Sequence, residues 1–406
     1  MKQKKGKVRM MQRIEFEGGF SLIELIVVMG LLGIVLALAT TNFTTLLGSL
    51  KGESKIAETE TETIVGLEIL RQDIENAGYG LPWHVNAPLN WSDLSGYTEA
   101  ESQTVCDSVN ITNFNDAPNN APKAILSGNN ACNDGSDYLV IKSAIVRNHD
   151  ESQKWTYLWN NGASISVNSW PSSSENMAGT TKVIAINPKQ NKIDNVLMTY
   201  GASNSFYSQV SSATTNYSPR PSEVFLLFGV GPNTDTKLRM PFNRADYYIS
   251  KSNPPYHCAN GTGVLVKGVL SQNDGTLPAN HDPLLDCVAD MQVVYGVDQT
   301  GAPDGKVDCY TNDLSLALPA YDAQNIRERV KEVRVYILAH EGRMDRSYRF
   351  GSNTIRVGDS SGLTKCTADT DPVLGRDFNL TGITNYQNYR WKVYTLVILP
   401  DNLKGR

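Results

Sequence analysis

Glu24 is the sole ionisable side chain in an apolar run from Phe20 to Ala39, FSLIELIVVMGLLGIVLALA. A charge at membrane depth costs about 2.5–3.5 kcal/mol on insertion scales, so a carboxylate kept there points to a function. The chemistry it offers is charge pairing, because a buried carboxylate needs a cation. A second carboxylate group lies far downstream. Asp298, Asp304 and Asp308 surround a Gly-containing turn, DQTGAPDGKVD, and closely spaced carboxylates supply the hard oxygen ligands that Ca²⁺ takes. Their spacing does not fit the EF-hand pattern, and the terminal bidentate Glu is missing. Asp and Gly also favour a plain β-turn between Val297 and Tyr310, so a turn and a calcium site both remain open. The histidines at 84, 149, 257, 281 and 340 have no metal-ligand spacing. His340 to Met344, HEGRM, lacks the second His of a zinc protease motif. No G-x-S-x-G, P-loop or Rossmann glycine pattern occurs. No catalysed reaction is expected, and calcium at the three aspartates is the one cofactor the sequence suggests.

The element that positions Glu24 is legible from its surroundings. The apolar run is long enough to cross a bilayer as a helix. Lys2, Lys4, Lys5, Lys7, Arg9 and Arg13 precede it, against Glu15 and Glu17. That bias keeps the N-terminus cytoplasmic and exports the chain beyond Ala39. A secretory signal has a shorter apolar core with its small-residue cleavage site after it, whereas here Gly18-Gly19 stands before the run. No proline occurs between Phe20 and Pro82. Apolar residues at Ile56, Ile64, Leu67, Leu70, Ile74 and Ala77 recur mostly three or four apart, one face of a helix. Gly78 and Gly80 are stop signals. The spacing therefore predicts one helix within 20–79, of which 20–39 is the membrane-spanning part. Gly48, Gly52 and Gly66 are its weak points, each costing about 1 kcal/mol relative to Ala.

Residues 80–406 read as an exported β-rich head with long polar loops. Short strand-like runs fall at Tyr138–Val146, Lys182–Ile186, Val224–Val230, Gly263–Leu270, Met291–Val297, Val330–Ala339 and Trp391–Leu399. In VKEVRVYILA, Val333, Val335, Ile337 and Ala339 alternate with Glu332, Arg334 and Tyr336, as on a half-buried strand. The Asn/Ser/Thr-rich stretches 107–136, 160–181 and 201–222 read as surface loops, too long for ordinary connections. The fold class expected is α+β: a long N-terminal hydrophobic helix packed under a large antiparallel β-rich head.

The segment GGFSLIEL (Gly18–Leu25) resembles the type III signal of type IV pilins and type II secretion pseudopilins. Gly, aromatic, Ser, Leu, Ile, Glu and Leu all fall in register, with an unbroken apolar run behind them. The resemblance implies that 1–19 is a leader cut by prepilin peptidase after Gly19, that Phe20 is then N-methylated, and that Glu24 is the assembly glutamate. The leader is longer than many in the family, Met10 and Met11 offer alternative starts, and Glu15 and Glu17 put unusual negative charge near the cut. The head resembles the PilW-type minor pilins in Leu70–Gly80, Leu284–Asp298, Val330–Ala339 and the Tyr389–Leu399 ending. It implies a structural subunit whose partners are the prepilin peptidase, the inner-membrane assembly machinery, and other major and minor pilins. The precursor would sit in the inner membrane with its head in the periplasm, then move to the pilus and cell surface. A J-type minor pseudopilin of type II secretion shares the β-rich layout and is the competing reading. A pilus-borne adhesin using its loops is another.

Six cysteines, 106, 132, 258, 287, 309 and 366, all come after the membrane segment, and none forms a C-x-x-C pair. An even count on the exported side suggests disulfides. Sequential pairing is expected: Cys106–Cys132, Cys258–Cys287 and Cys309–Cys366. The full chain carries a net charge of −5, and with the six basic and two acidic residues of 1–19 removed the remainder carries −9. Nucleic-acid capture wants a basic patch, and the head shows only scattered basic residues such as Arg327, Arg329, Lys331 and Arg334. No nucleic acid is expected as a partner.

Overall fold

The computed structural model describes residues 21–189, 194–232 and 234–403. The chain divides into two units, Met1–Lys55 and Ile56–Arg406. One helix runs from Leu22 to Glu75, 54 residues, with no break at Gly48, Gly52 or Gly66. Gly78 (φ +84°) and Gly80 (φ +67°) then turn the chain through the left-handed region, as the stop signal predicts.

The larger sheet of the head has eight strands among the described residues. Its order is Arg390–Ile398, Val330–Glu341, Asp282–Val297, Gly263–Val269, Asn243–Ser250, Tyr138–Ser143, Ile125–Gly128, with Cys309–Thr311 paired on the side of Asp282–Val297. All these pairings are antiparallel. The second sheet has seven strands, centred on Lys182–Asn187, Val224–Gly231 and Trp155–Asn160. Its one parallel pairing among the described residues joins His84–Val85 to Val196–Leu197. The α+β plan expected from the sequence is therefore the plan observed.

The last turns of the helix lie on the larger sheet. Leu67, Leu70, Ile74 and Ala77 are buried in the main core, and Ile64 and Val65 face solvent. Gly66 sits so close to the strand Asp282–Val297 that a Cβ there would lie 1.7 Å from the Leu284 carbonyl oxygen. Gly66 is thus a contact point and not merely a weak one. Asp73 accepts hydrogen bonds from the Lys267 ammonium at 2.6 Å and from the Tyr247 hydroxyl. The Gly78 N–H donates to the Lys142 carbonyl, and the Asp401 N–H donates to the Glu75 carbonyl at 2.9 Å, which fastens the C-terminal tail to the helix end.

Val333, Val335, Ile337 and Ala339 enter the main core as their alternation predicts. The opposite face is also covered: Tyr336 and Leu338 join Ala289, Val294 and Trp391 in a second core beneath the hairpin Thr354–Gly358/Gly375–Asn379. The strand is buried on both faces, not half-buried. The 107–136 stretch is likewise more than a surface loop. Ile111, Phe114, Ala124 and Ile125 are buried in the core. Buried charges hold the stretch down: the Lys142 ammonium lies 2.7 Å from both Glu99 and Asp116, and Arg244 donates to the Ile111 carbonyl and the Asn115 amide oxygen, each at 2.9 Å.

Candidate functional site

Gly19 and Phe20, the expected cleavage and methylation residues, lie outside the described residues, as does the leader. The description begins at Ser21, and it gives Glu24 a local partner. The Ser21 N–H donates to Glu24 Oε2 at 3.0 Å, and the Glu24 N–H donates to Ser21 Oγ at 3.3 Å. This is a capping box: Ser at the N-cap and Glu three residues on satisfy two orphan N–H donors of the first turn reciprocally. The carboxylate is also well placed against the positive end of the helix dipole. Reasoning from charge pairing alone misses this second role, although the S-x-x-E signal stands in FSLIEL. Beyond Glu24 the segment Leu22–Phe43 has a mean hydropathy of 2.8 and none of it is buried, so a helix apolar on every face is left open. Such a surface belongs in a bilayer or among other helices.

The three disulfides are the sequential pairs: Cys106–Cys132, Cys258–Cys287 and Cys309–Cys366. The first closes the 107–136 stretch. The second lies beside His257, and among the described residues these three form the one grouping with metal-ligand reach. Its two sulfurs are consumed by the disulfide and are not thiolate ligands.

Asp298, Asp304 and Asp308 lie on one turn but do not bring three carboxylates to a common point. Asp298 is buried and accepts from the Thr300 hydroxyl at 2.6 Å, the Thr300 N–H at 3.2 Å and the Gly305 N–H at 2.8 Å. Burial pushes its carboxyl up, but these hydrogen bonds outweigh it and hold the carboxyl below its ordinary range. Asp308 accepts from the Gln299 N–H, and Asp304 points outward toward Lys306. The arrangement is that of side chains replacing backbone acceptors in a tight turn.

His340 is buried against Tyr389 and Trp391, with ring centroids at 4.4 and 5.3 Å. Its Nε2 accepts the Ala259 N–H at 2.8 Å, which requires the neutral ring. Burial, with His257 adding to it, pushes its pKa down to about 3. It is a packing residue that fastens the 257–262 turn, in keeping with a lone His outside any catalytic motif.

An open apolar helix capped by Glu24 leads into an antiparallel head stapled by three disulfides. Residues 246–402 match the family model described as type IV pilus-assembly protein W. That span holds the Asn243–Ser250 strand from Asp246 on and all the later strands through Arg390–Ile398, so it covers most of the larger sheet. The match is to the branch that the head resembles in sequence, and it supports a type IV pilus-related pilin role. A solved type IV-like pilin from Thermus thermophilus is similar at 16% identity and a TM-score of 0.23, over 40% of this chain and 67% of that one. No curated protein sequence matches the chain.

Proposed function

We propose that this protein is a minor pilin: a membrane-anchored precursor, cut by prepilin peptidase between Gly19 and Phe20, that joins a type IV pilus or its initiating complex as a structural subunit. The observation that carries the reading is the register of GGFSLIEL against an apolar helix, together with the family match over 246–402. Hydrolysis of the Gly19–Phe20 bond frees an α-amine on Phe20, which is then N-methylated. That ammonium is the cation that a carboxylate in an apolar bundle requires. A neighbouring subunit presents it to Glu24, and the pairing fixes the axial register of the two helices. The role is structural, and the protein catalyses no reaction. Its partners are the peptidase, the inner-membrane assembly machinery, and other major and minor pilins. The precursor is placed in the inner membrane with the head in the periplasm, and the mature subunit at the cell surface.

The test is location and need. Immunogold labelling of sheared filaments should decorate pili sparsely, and deletion of the gene should reduce piliation. Normal piliation with loss of exoprotein secretion would favour a type II secretion pseudopilin instead.

A further inference from the structure

The strand Trp155–Asn160 carries Trp155, Tyr157 and Trp159 on one face of the second sheet, because side chains two apart on a strand point the same way. The strand lies between Val224–Gly231 and the edge strand Ile165–Val167. Its other face is closed: Leu158, Phe225 and Leu227 pack in a third core. The aromatic face is closed at one end only. There Trp155 stands opposite Phe228, which is buried beside Tyr79. Farther along, Tyr157 stands opposite Leu226 and Trp159 opposite Val224, and the face opens to solvent. Trp155 is 39% exposed, Trp159 38% and Val224 41%.

The edge row completes this face. Ser166 is paired opposite Trp159, and the Asn168 N–H donates to the Tyr157 carbonyl at 2.9 Å, so the same register sets Ser166, Asn168 and Trp170 beside the three rings. The Trp170 ring meets Trp155 and Tyr157 edge to face, with centroids at 5.1 and 6.0 Å. Its indole N–H donates to the Trp155 carbonyl at 2.9 Å. The Asn176 amide accepts from the Trp170 N–H at 2.7 Å and donates to its carbonyl at 3.0 Å. These rings are therefore set in place without a ligand, which lowers the entropy cost of binding one. Among the described residues no cation stands over them, and Trp159 has no ring contact. The indole N–H groups of Trp155 and Trp159, the Ser166 hydroxyl and the Asn168 amide have no hydrogen-bond partner among the described residues.

Size and charge narrow what such a face can take. With an aromatic side chain at about 150–250 Å², the exposed parts of the rings with Val224 and Leu226 come to roughly 300–400 Å². A patch of that size is often functional, yet a stable protein interface takes about 800 Å² from each partner. The face therefore suits a small ligand better than a second protein. None of its side chains is charged, so it does not select an ion. Single-stranded nucleic acid could stack here but needs cations along its backbone, and Lys154, next to Trp155, is paired with Asp150 at 2.6 Å. Rings beside a row of hydroxyl and amide groups match a molecule that is apolar across its faces and polar around its edge, as a pyranose with equatorial hydroxyls is. The three rings span about 13 Å of strand, room for several sugars. We propose that this face binds a neutral glycan, its sugar rings against Tyr157 and Trp159 and its hydroxyls on Ser166, Asn168 and the free indole N–H groups. The site lies outside 246–402 and does not depend on the assembly role: a filament subunit with this face would also be a receptor for neutral glycans.

The test uses the full chain in lipid nanodiscs, since sugar-headed detergents would compete. Cellotetraose and tetra-N-acetylchitotetraose are titrated calorimetrically, with tetragalacturonic acid, cyclohexanol and a thymidine tetranucleotide as comparisons. At least one neutral glycan should saturate by about 10 mM, and each comparison should bind about tenfold more weakly or worse. Trp159→Ala should weaken that glycan about three- to tenfold, with Trp159→Phe in between. Asn168→Ala should weaken it several-fold through lost hydrogen bonds. Melting curves and sedimentation accompany each variant, and if Trp159→Ala fails to fold, Asn168→Ala decides. The proposal is overturned if neither glycan saturates, if any comparison binds as well, or if the folded Trp159→Ala or Asn168→Ala protein binds like the parent. It is also overturned if Trp159→Ala breaks up a dimer, which would make the face a contact between copies.

Discussion

Gly66 gives the sharpest test of how the helix is seated. In isolation, Gly66→Ala should stabilise a helix by about 1 kcal/mol. Here a Cβ would stand 1.7, 2.5 and 2.9 Å from the carbonyl oxygen, carbonyl carbon and Cα of Leu284, all backbone atoms that cannot swing away. A carbon needs about 3.3 Å from such an oxygen, so helix and strand must part by about 1.5 Å. A gap of even 0.5–1 Å forfeits about a quarter to a half of a contact well. Leu67, Leu70 and Ile74 are the buried side chains that would feel it, each worth about 1.5–3 kcal/mol. Losing about a third of their combined value costs roughly 1.5–3 kcal/mol, and the propensity gain offsets about 1. The net expectation is a loss of about 0.5–2 kcal/mol, with a melting temperature lower by a few degrees. Near-UV circular dichroism of the full chain in micelles reads the head transition. Gly33→Ala, whose added Cβ meets nothing within 4 Å, serves as the control and should leave that transition in place. A Gly66→Ala protein as stable as the parent, or more so, would refute the close seating of helix on sheet.

Glu24→Gln keeps a side-chain acceptor for the Ser21 N–H but removes the charge, so it should cap the helix nearly as well yet fail to enter filaments; normal incorporation, scored by immunoblot of sheared pili, would mean that capping and not pairing is what Glu24 supplies. The non-reduced protein should be lighter than its reduced form by about six hydrogens, and six alkylatable thiols without reductant would contradict the three pairings. Folding requires neutral His340, so between the unfolded value of about 6.5 and the folded value of about 3 the unfolded chain binds the extra proton. That contribution is complete above pH 6.5 and drains away as pH falls toward 3, at no more than about 1.4 kcal/mol per unit. His340→Phe should show a shallower acid loss of melting temperature than the parent, and identical slopes would count against the assignment.

The parts of the fold that can be read from the sequence are those where burial is apolar. The apolar run, the three-and-four spacing up to Ala77, and the strands Lys182–Asn187, Val224–Gly231 and Val330–Glu341 fall within a residue or two of expectation. The strand Asn243–Ser250 is invisible to a hydrophobic pattern because its buried residues include Arg244 and Asp246, joined at 2.7 and 2.8 Å. The 107–136 stretch looks like surface for the same reason: its anchors are Glu99, Asp116 and Lys142, polar residues whose partners are distant in sequence. The aspartate turn shows the converse. Three carboxylates close together suggest a cation, but their acceptors are turned toward neighbouring N–H and hydroxyl groups.

The tie between the Asp401 N–H and the Glu75 carbonyl has a practical consequence for anyone labelling this protein. It brings the end of the described chain back to the last helical turn, with Leu403 packed beside Gly78. A reporter or affinity tag joined close after Leu403 would crowd the contacts that Asp401 and Leu403 make with Glu75 and Gly78. The exposed turn at Gly162, where an added side chain would meet open space, is a safer place to insert one. A C-terminal fusion that abolishes assembly would therefore report on the crowding of that junction before it reported on the function of the head.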